Sequence, residues 1–268
     1  MSNKLDLTII LPIKSSLAKD FDEYFTKAIE SIKNQKVQVQ ELLIVATVEE
    51  QLKSYLESYD FGELNVRTVV WNKEPSYSTQ VNFGIEQSTT KWVSLFEFDD
   101  EYANIWFDNV QKYIEFFPEV QAFLPVVVDT DEKGVFAGFT NEAVFAANFS
   151  QEMGILTNDV LQDYQNFQTS GMVFQKSIYE DFGGFKSSIK LTFVYEFLLR
   201  LTYNSVNIMT IPRLGYKHTN MREGSVFWNY KFGTERMVDD EVKFWVQTAK
   251  KEYFFRDDRT INYTSENV

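Results

Sequence analysis

The sequence predicts an α/β protein built on a mixed, mostly parallel sheet flanked by helices, with a helical extension at the C-terminus. Two observations carry this expectation. Short apolar runs such as Leu7–Ile13 (LTIILPI) alternate with segments whose apolar residues recur at helical spacing, the pattern of βαβ units that bury a sheet on both faces. With 268 residues, 44% of them apolar, the chain can also bury a sizeable core.

Leu7–Ile13 reads as the first strand. Asp20 followed by Glu23 resembles a capping box, and Phe21, Phe25, Ala28, Ile29 and Ile32 give the next helix one apolar face. Leu42–Val45 is the second strand, Gln51–Tyr59 the second helix and Val66–Trp71 the third strand. A polar loop from Asn72 to Ser78 ends on a serine suited to cap a helix over Thr79–Gln87. The central strand, Trp92–Phe98, is followed by a helix over Ala103–Phe117, stopped by Pro118, and by the strand Ala122–Val128. Residues Val135–Gln168 have weak periodicity and read as an excursion or lid. A strand (Thr169–Phe174), two helices (Lys176–Asp181 and Thr192–Tyr203) and a strand closed by Pro212 (Val206–Ile211) come next. Tyr216–Phe227 then carries the only histidine, and Val238–Phe255 reads as an amphipathic helix packed on the domain or on a second copy, before a polar tail.

Composition excludes several functions. A formal charge of −13 disfavours nucleic acid as partner, because affinity for a phosphate backbone depends on basic patches. The absence of cysteine removes disulfides, thiolate metal sites and cysteine nucleophiles. The N-terminal apolar run is too short for a signal peptide or a transmembrane segment, so the expectation is a cytoplasmic protein. No G-x-G-x-x-G fingerprint or Walker loop is present.

Chemistry concentrates at the end of the central strand. Glu97, Asp99, Asp100 and Glu101 place four acids within five positions where an apolar strand leaves the carboxyl edge of the sheet, the edge at which open α/β folds bind ligands. Gathered anions repel one another, so the cluster reads either as a solvated acidic turn or as the grip of a hard divalent cation, Mn²⁺ or Mg²⁺. The metal reading accounts better for acids that follow so apolar a strand.

Further motifs give this cluster a context. From Leu7 to about Ser225 the chain resembles a family 2 glycosyltransferase with the GT-A fold, a Rossmann-like architecture. The resemblance rests on the first strand ending near Pro12, and on Val81, Asn82, Phe83 and Gly84 before the metal strand. It continues through Glu97, Phe98, Asp99 and Asp100 at the D-x-D-D position, and through Ser170 and Gly171. Gly183, Gly184 and Phe185, then Arg200 and Leu201, and finally His218, Arg222, Gly224 and Ser225 complete the order.

The resemblance implies a metal-dependent transfer of a sugar from a nucleotide-diphosphate donor such as a UDP-sugar to a glycan or other hydroxyl acceptor, with inversion. It implies Asp99 as metal ligand, and His218 either as a further ligand or as an ordinary loop residue. Pro12, Glu49, Asn82, Glu97, Asp100, Arg222 and Ser225 are then expected around the donor, with Arg222 on the diphosphate. Ser170, Gly171 and the aromatic Tyr102 are expected around the acceptor.

Three positions depart from the family pattern. Where an aspartate usually reads the nucleobase the chain has Ala46, Thr47 and Val48, so Glu49 or Glu50 is the substitute. Glu97 replaces the first aspartate of the metal motif. At the usual position of the catalytic acid pair stand Phe193 and Val194, neither of which accepts a proton. Glu196 reads either as the catalytic base or as an i,i+4 ion pair with Arg200, and Asp163 is a further candidate base. The other functional reading is accordingly an impaired pseudo-glycosyltransferase that binds a nucleotide sugar or glycan. The expected organisation is a catalytic domain over residues 1–225 and a C-terminal extension over 226–268, whose helix suits a homodimer contact.

Overall fold

The computed structural model describes residues 4–142 and 154–264. Strands β1 (Leu5–Ile13), β2 (Val39–Thr47), β3 (Val66–Trp71) and β4 (Trp92–Leu95) alternate with helices α1 (Phe21–Lys33), α2 (Glu50–Ser58) and α3 (Tyr77–Gln87). A two-residue strand β5 (Glu101–Tyr102), helix α4 (Trp106–Phe116), and strands β6 (Ala122–Thr130) and β7 (Phe136–Thr140) follow. After residue 153 come β8 (Ile155–Leu156), α5 (Asn158–Asp163), β9 (Val173–Gln175), α6 (Lys176–Phe182), α7 (Phe193–Tyr203), β10 (Ile208–Thr219), α8 (Val226–Lys231) and α9 (Asp239–Glu252).

These strands form one mixed sheet in the order β3-β2-β1-β4-β9-β6-β10-β5, with β7 on β6 and β8 on β10. The long pairings, β3 with β2, β2 with β1, β1 with β4 and β6 with β10, are parallel. Short β9 lies antiparallel between β4 and β6. Parallel strands buried on both faces need continuous apolar runs, and β1 supplies one: Leu7, Ile9, Ile10, Leu11 and Ile13 are wholly enclosed. Helix α3 packs directly on the sheet through Gly84, where a Cβ would meet the Val45 side chain at 2.9 Å. Its start is fixed by Ser76, which accepts the Thr79 N–H, while the Thr79 hydroxyl accepts the Ser76 N–H.

Several sequence expectations are corrected. The central strand ends at Leu95, three residues early, because Asp100 N–H closes a turn on the Glu97 carbonyl at 3.2 Å. Strand β10 does not stop at Pro212; it runs to Thr219 with register irregularities between Ile211 and Tyr216. Proline lacks a ladder donor, and an irregularity lets the strand resume beyond it. His218 therefore sits on a strand rather than in a loop. The Val135–Gln168 excursion contains β7, β8 and α5; its stretch 143–153 lies outside the described residues.

At the start of the tail, residues 256 and 258 are tied to the domain. Asp258 accepts hydrogen bonds from the Ser187 hydroxyl at 2.9 Å and the Ser188 N–H at 3.1 Å, and Arg256 donates to the Asp181 and Glu180 carbonyls. Helix α9 packs Trp245 and Ala249 into the chain's own core, and Thr192 bonds the Trp245 carbonyl at 2.7 Å. Among the described residues no helix is long and apolar enough to cross a membrane.

Candidate active site

The turn after β4 folds the acids back against β10. Phe96 N–H still reaches the Ile10 carbonyl at 3.0 Å, so the turn leaves the sheet beside the end of β1. Strand β5 then pairs antiparallel with β10, Tyr102 opposite Tyr216 and Glu101 opposite Lys217. Glu97 and Asp99 thereby line a cavity of about 260 Å³ together with His218, Thr219, Ser170 and Ser225. Its opposite wall is apolar: Phe167, Leu191, Phe193, Val194 and Phe227.

Every acid in the turn has a different partner. Arg222 Nε donates to Asp99 Oδ2 at 2.6 Å, with its guanidinium 4.8 Å over the Phe98 ring. Asp100 Oδ1 accepts the Thr219 N–H at 2.8 Å, but Asp100 Oδ2 is buried without a hydrogen-bond partner. Glu97 accepts the Ser170 hydroxyl at 3.1 Å, and its N–H donates to the Tyr216 hydroxyl at 3.2 Å. His218 Nδ1 lies 2.9 Å from Asp129 Oδ1.

Burial first, and then the Asp99 charge, push the Glu97 carboxyl above its ordinary range. Asp100 is pushed well up by burial, with Asp99 and Glu97 adding to it against the pull of His218. For His218, burial alone would lower the pKa, yet the Asp100 charge and the Asp129 bond outweigh it and lift the ring to about 10. Four carboxylates, Glu97, Asp99, Asp100 and Asp129, thus face two cations, Arg222 and His218. The cluster is short of positive charge.

Among the described residues no group of three or more His, Cys, Asp or Glu stands ready to hold a metal ion. The chemistry of the donors nonetheless fits a divalent cation that takes one or two protein oxygens and completes its shell from phosphate. The unpartnered Asp100 Oδ2 is the observation that favours it: a buried acceptor left unsatisfied is costly unless something else fills it.

Of the other residues expected at the site, Ser170 and Ser225 line the cavity; Ser225 also caps α8 by accepting the Trp228 N–H. Gly171, at φ 73°, passes its N–H to the Leu95 carbonyl and packs against the Tyr216 ring. Pro12 is enclosed within β1 opposite Val45. Glu49 accepts the Ser16 hydroxyl at 2.8 Å, outside the cavity.

Four expectations fail on geometry. Both polar ends of Asn82 are spent on Phe185, which ties α3 to the Gly183–Phe185 turn rather than to a donor. Tyr102 is 4% exposed, stacked 4.4 Å from Phe96 and bonded to Ser94, so it belongs to the core. Asp163, at the end of α5, is exposed and does not line the cavity. Glu196 is fully enclosed, 3.0 Å from both Lys186 Nζ and Arg200 Nη2, and so cannot meet an acceptor. Phe193 and Val194 do line the cavity, so the usual acid positions face it with apolar side chains.

Asp129 was missed. It closes the apolar run AFLPVVVDT as the turn acids close WVSLFEF, and that shared pattern of a carboxylate at a strand end was the available signal.

A sheet with parallel β1–β4, an antiparallel β9 and carboxylates on the turn after β4 defines a GT-A glycosyltransferase. The chain belongs to glycosyl transferase family 2, whose model matches residues 8–182. It is similar in fold to S. aureus TarS 1–349 in complex with UDP-GlcNAc, with a TM-score of 0.66 at 13% identity, covering 95% of this chain and 68% of that one. A second structure of TarS 1–349 gives 0.60 at 13% identity over 92% and 79% of the two chains. Against the longer TarS chain the score is 0.59, and this protein spans 44% of that length. No curated protein matches the sequence.

Proposed function

We propose that the protein moves a sugar from a nucleotide-diphosphate donor, with uridine diphosphate as the carrier, to an acceptor hydroxyl in a single inverting displacement that depends on Mn²⁺ or Mg²⁺; the diphosphate leaves with the bonding electrons and the hydroxyl proton passes to Glu97, the one of the two cavity-lining carboxylates that Arg222 does not engage. The observation that carries this is the unpartnered Asp100 Oδ2 within a carboxylate cluster short of positive charge, at the carboxyl edge of the parallel strands. The UDP-GlcNAc held by the similar TarS structure supports the choice of carrier.

Asp100 and Asp99 would hold the cation, with His218 beside them; such an ion offsets charge on the departing diphosphate. Arg222, once drawn from Asp99, has the forked donors that suit phosphate oxygens. Glu97, braced by Ser170, faces the sugar side of the cavity. The apolar wall of Phe167, Phe193 and Phe227 excludes water from the anomeric carbon, limiting hydrolysis of the donor.

A second reading is favoured by Phe193 and Val194 in the cavity wall: a protein that binds a nucleotide sugar and transfers it slowly. Calorimetric titration with UDP-, GDP-, CMP- and dTDP-sugars in Mn²⁺, together with donor turnover, separates the two. Binding with turnover is expected. Binding without turnover selects the second reading, and failure to bind any of the panel, or unchanged affinity in both Asp99→Ala and Asp100→Ala, overturns the donor site itself.

A further inference from the structure

Beside the acids of the turn lies a second, separately built device. His218 and Asp129 are register partners on the parallel neighbours β10 and β6, so the sheet itself sets their side chains next to each other on one face. The bond between them, His218 Nδ1 to Asp129 Oδ1, measures 2.9 Å. Asp129 is in turn fixed from two further elements. Thr140 on β7 donates its hydroxyl to Oδ2, and Gln168, in the segment before β9, donates its amide to Oδ1 at 3.3 Å.

Gln168 has its own anchor, since its N–H donates to Asn141 Oδ1 at 2.9 Å; Asn141, wholly enclosed, reaches the Pro125 carbonyl as well. Three hydrogen bonds therefore converge on one carboxylate that is 9% exposed and does not itself line the cavity. What lines the cavity is His218, and no hydrogen bond joins its ring's other nitrogen to any described residue.

We infer that Asp129 is a positioning residue: it fixes the orientation of the His218 ring so that Nε2, on giving up its proton to solvent, is presented to the cavity as a nitrogen ligand for the divalent cation that Asp99 and Asp100 hold. The inference rests on the metal reading above. Its physical basis is general: a metal-bound imidazole commonly gives its other nitrogen to a carboxylate, which fixes ring orientation and raises ligand basicity. A histidine carried on a strand and bonded through Nδ1 can offer only Nε2. Thr140 and Gln168 keep the carboxylate from rotating away, as a supporting shell must for a ligand to be held in place.

Because His218 is the only histidine, its ring can be watched without assignment. Long-range ¹H–¹⁵N spectra of the metal-free protein are expected to show one fixed ring state with a hydrogen-bonded Nδ1 proton, lost in Asp129→Ala. Binding of Mn²⁺ in the presence of UDP, followed by electron paramagnetic resonance of the free ion, is expected to weaken by about 10- to 100-fold in Asp129→Ala. His218→Ala should lose a similar amount, and the double variant no more than either single one. Should Asp129→Ala fold poorly, Thr140→Val provides the milder step: a smaller change in the same ring signal and a smaller loss of Mn²⁺ affinity.

The inference is overturned if the ring signal is the same in wild type and variant, if Asp129→Ala binds Mn²⁺ as tightly as wild type, or if the losses from Asp129→Ala and His218→Ala multiply. If wild type binds no Mn²⁺ even with UDP, the metal reading fails and this ligand role with it. That result is distinct from a wild type that binds while the Asp129 variants bind equally well.

Discussion

Arg222 Nε and Asp99 Oδ2 meet at 2.6 Å with both side chains less than a tenth exposed, so the residue expected to grip a cation is engaged by the chain's own cation. Two consequences follow for donor binding. Any ion reaching Asp99 must share it with or take it from Arg222, and an Arg222 so displaced is free for the diphosphate.

Arg222→Ala tests that exchange. Removing one partner of a buried pair strands the other charge and costs about 3–5 kcal/mol. In metal-free buffer the variant should unfold at lower urea. Added Mn²⁺, with Asp99 available to it, should recover more stability in the variant than in wild type, by the linkage of ligand binding to folding. Equal recovery in the two proteins would refute the competition.

Asp100 carries a pH signature. Its carboxyl is raised well above the ordinary 3.8, chiefly by burial. A group that binds its proton more tightly when folded stabilises the fold at pH below its folded value, and that stability is lost as pH rises from about the unfolded value through the raised one. Metal-free stability should therefore fall as pH climbs from the carboxylate range toward neutrality. Asp100→Asn, neutral at every pH, should flatten the decline and raise metal-free stability near pH 7, while weakening Mn²⁺ binding. Chemical denaturation across pH, with and without Mn²⁺, checks all three.

Glu196 separates structure from catalysis. The carboxylate is held by both Arg200 Nε and Nη2 at 3.0 Å and lies 3.0 Å from Lys186. Arg200 in turn binds the Phe182 and Gly184 carbonyls, and the Lys186 ammonium binds the Glu252 carbonyl at 2.7 Å. One buried group thus ties α7 to the Gly183–Gly184 turn and to α9. Glu196→Gln should lower the folding free energy by about 3–5 kcal/mol, with activity per folded molecule largely retained. A stable variant with no turnover would instead restore Glu196 as a base.

Gly171 couples the core to the site. At φ 73° a side chain is strained by about 1–3 kcal/mol, and a Cβ would strike the Tyr216 ring. Tyr216 holds the Glu97 N–H, so Gly171→Ala should reduce thermal stability and donor affinity together. Loss of stability with unchanged affinity would show that Tyr216 does not transmit the change.

Much of the fold was legible in the chain because its signals are local. The LTIILPI run and the spacing of Phe21, Phe25, Ile29 and Ile32 each specify conformation within a turn or two of themselves and stand as read; a serine does cap the third helix, but it is Ser76 rather than Ser78, so α3 begins at Tyr77. The acid-bearing turn was legible too, since four carboxylates cannot lie within an apolar strand. Tyr102 and Glu196 were misread for a shared reason: neither a buried aromatic stack nor a buried ion pair leaves a trace in residue spacing. Glu196 and Arg200 look like any exposed i,i+4 pair until Lys186 and the Phe182 and Gly184 carbonyls enclose them.

The sequence by itself determined the alternation of strands and helices, the order of the motifs and the place where negative charge gathers. Only the tertiary structure decided which partners those charges meet: Asp129 with His218, 89 positions apart, and Asp99 with Arg222, 123 apart. The physical reason is that β10 runs on past Pro212, and its register against β6 and β5 fixes which side chains become neighbours, a choice made by strand pairing between distant segments and written in neither segment alone.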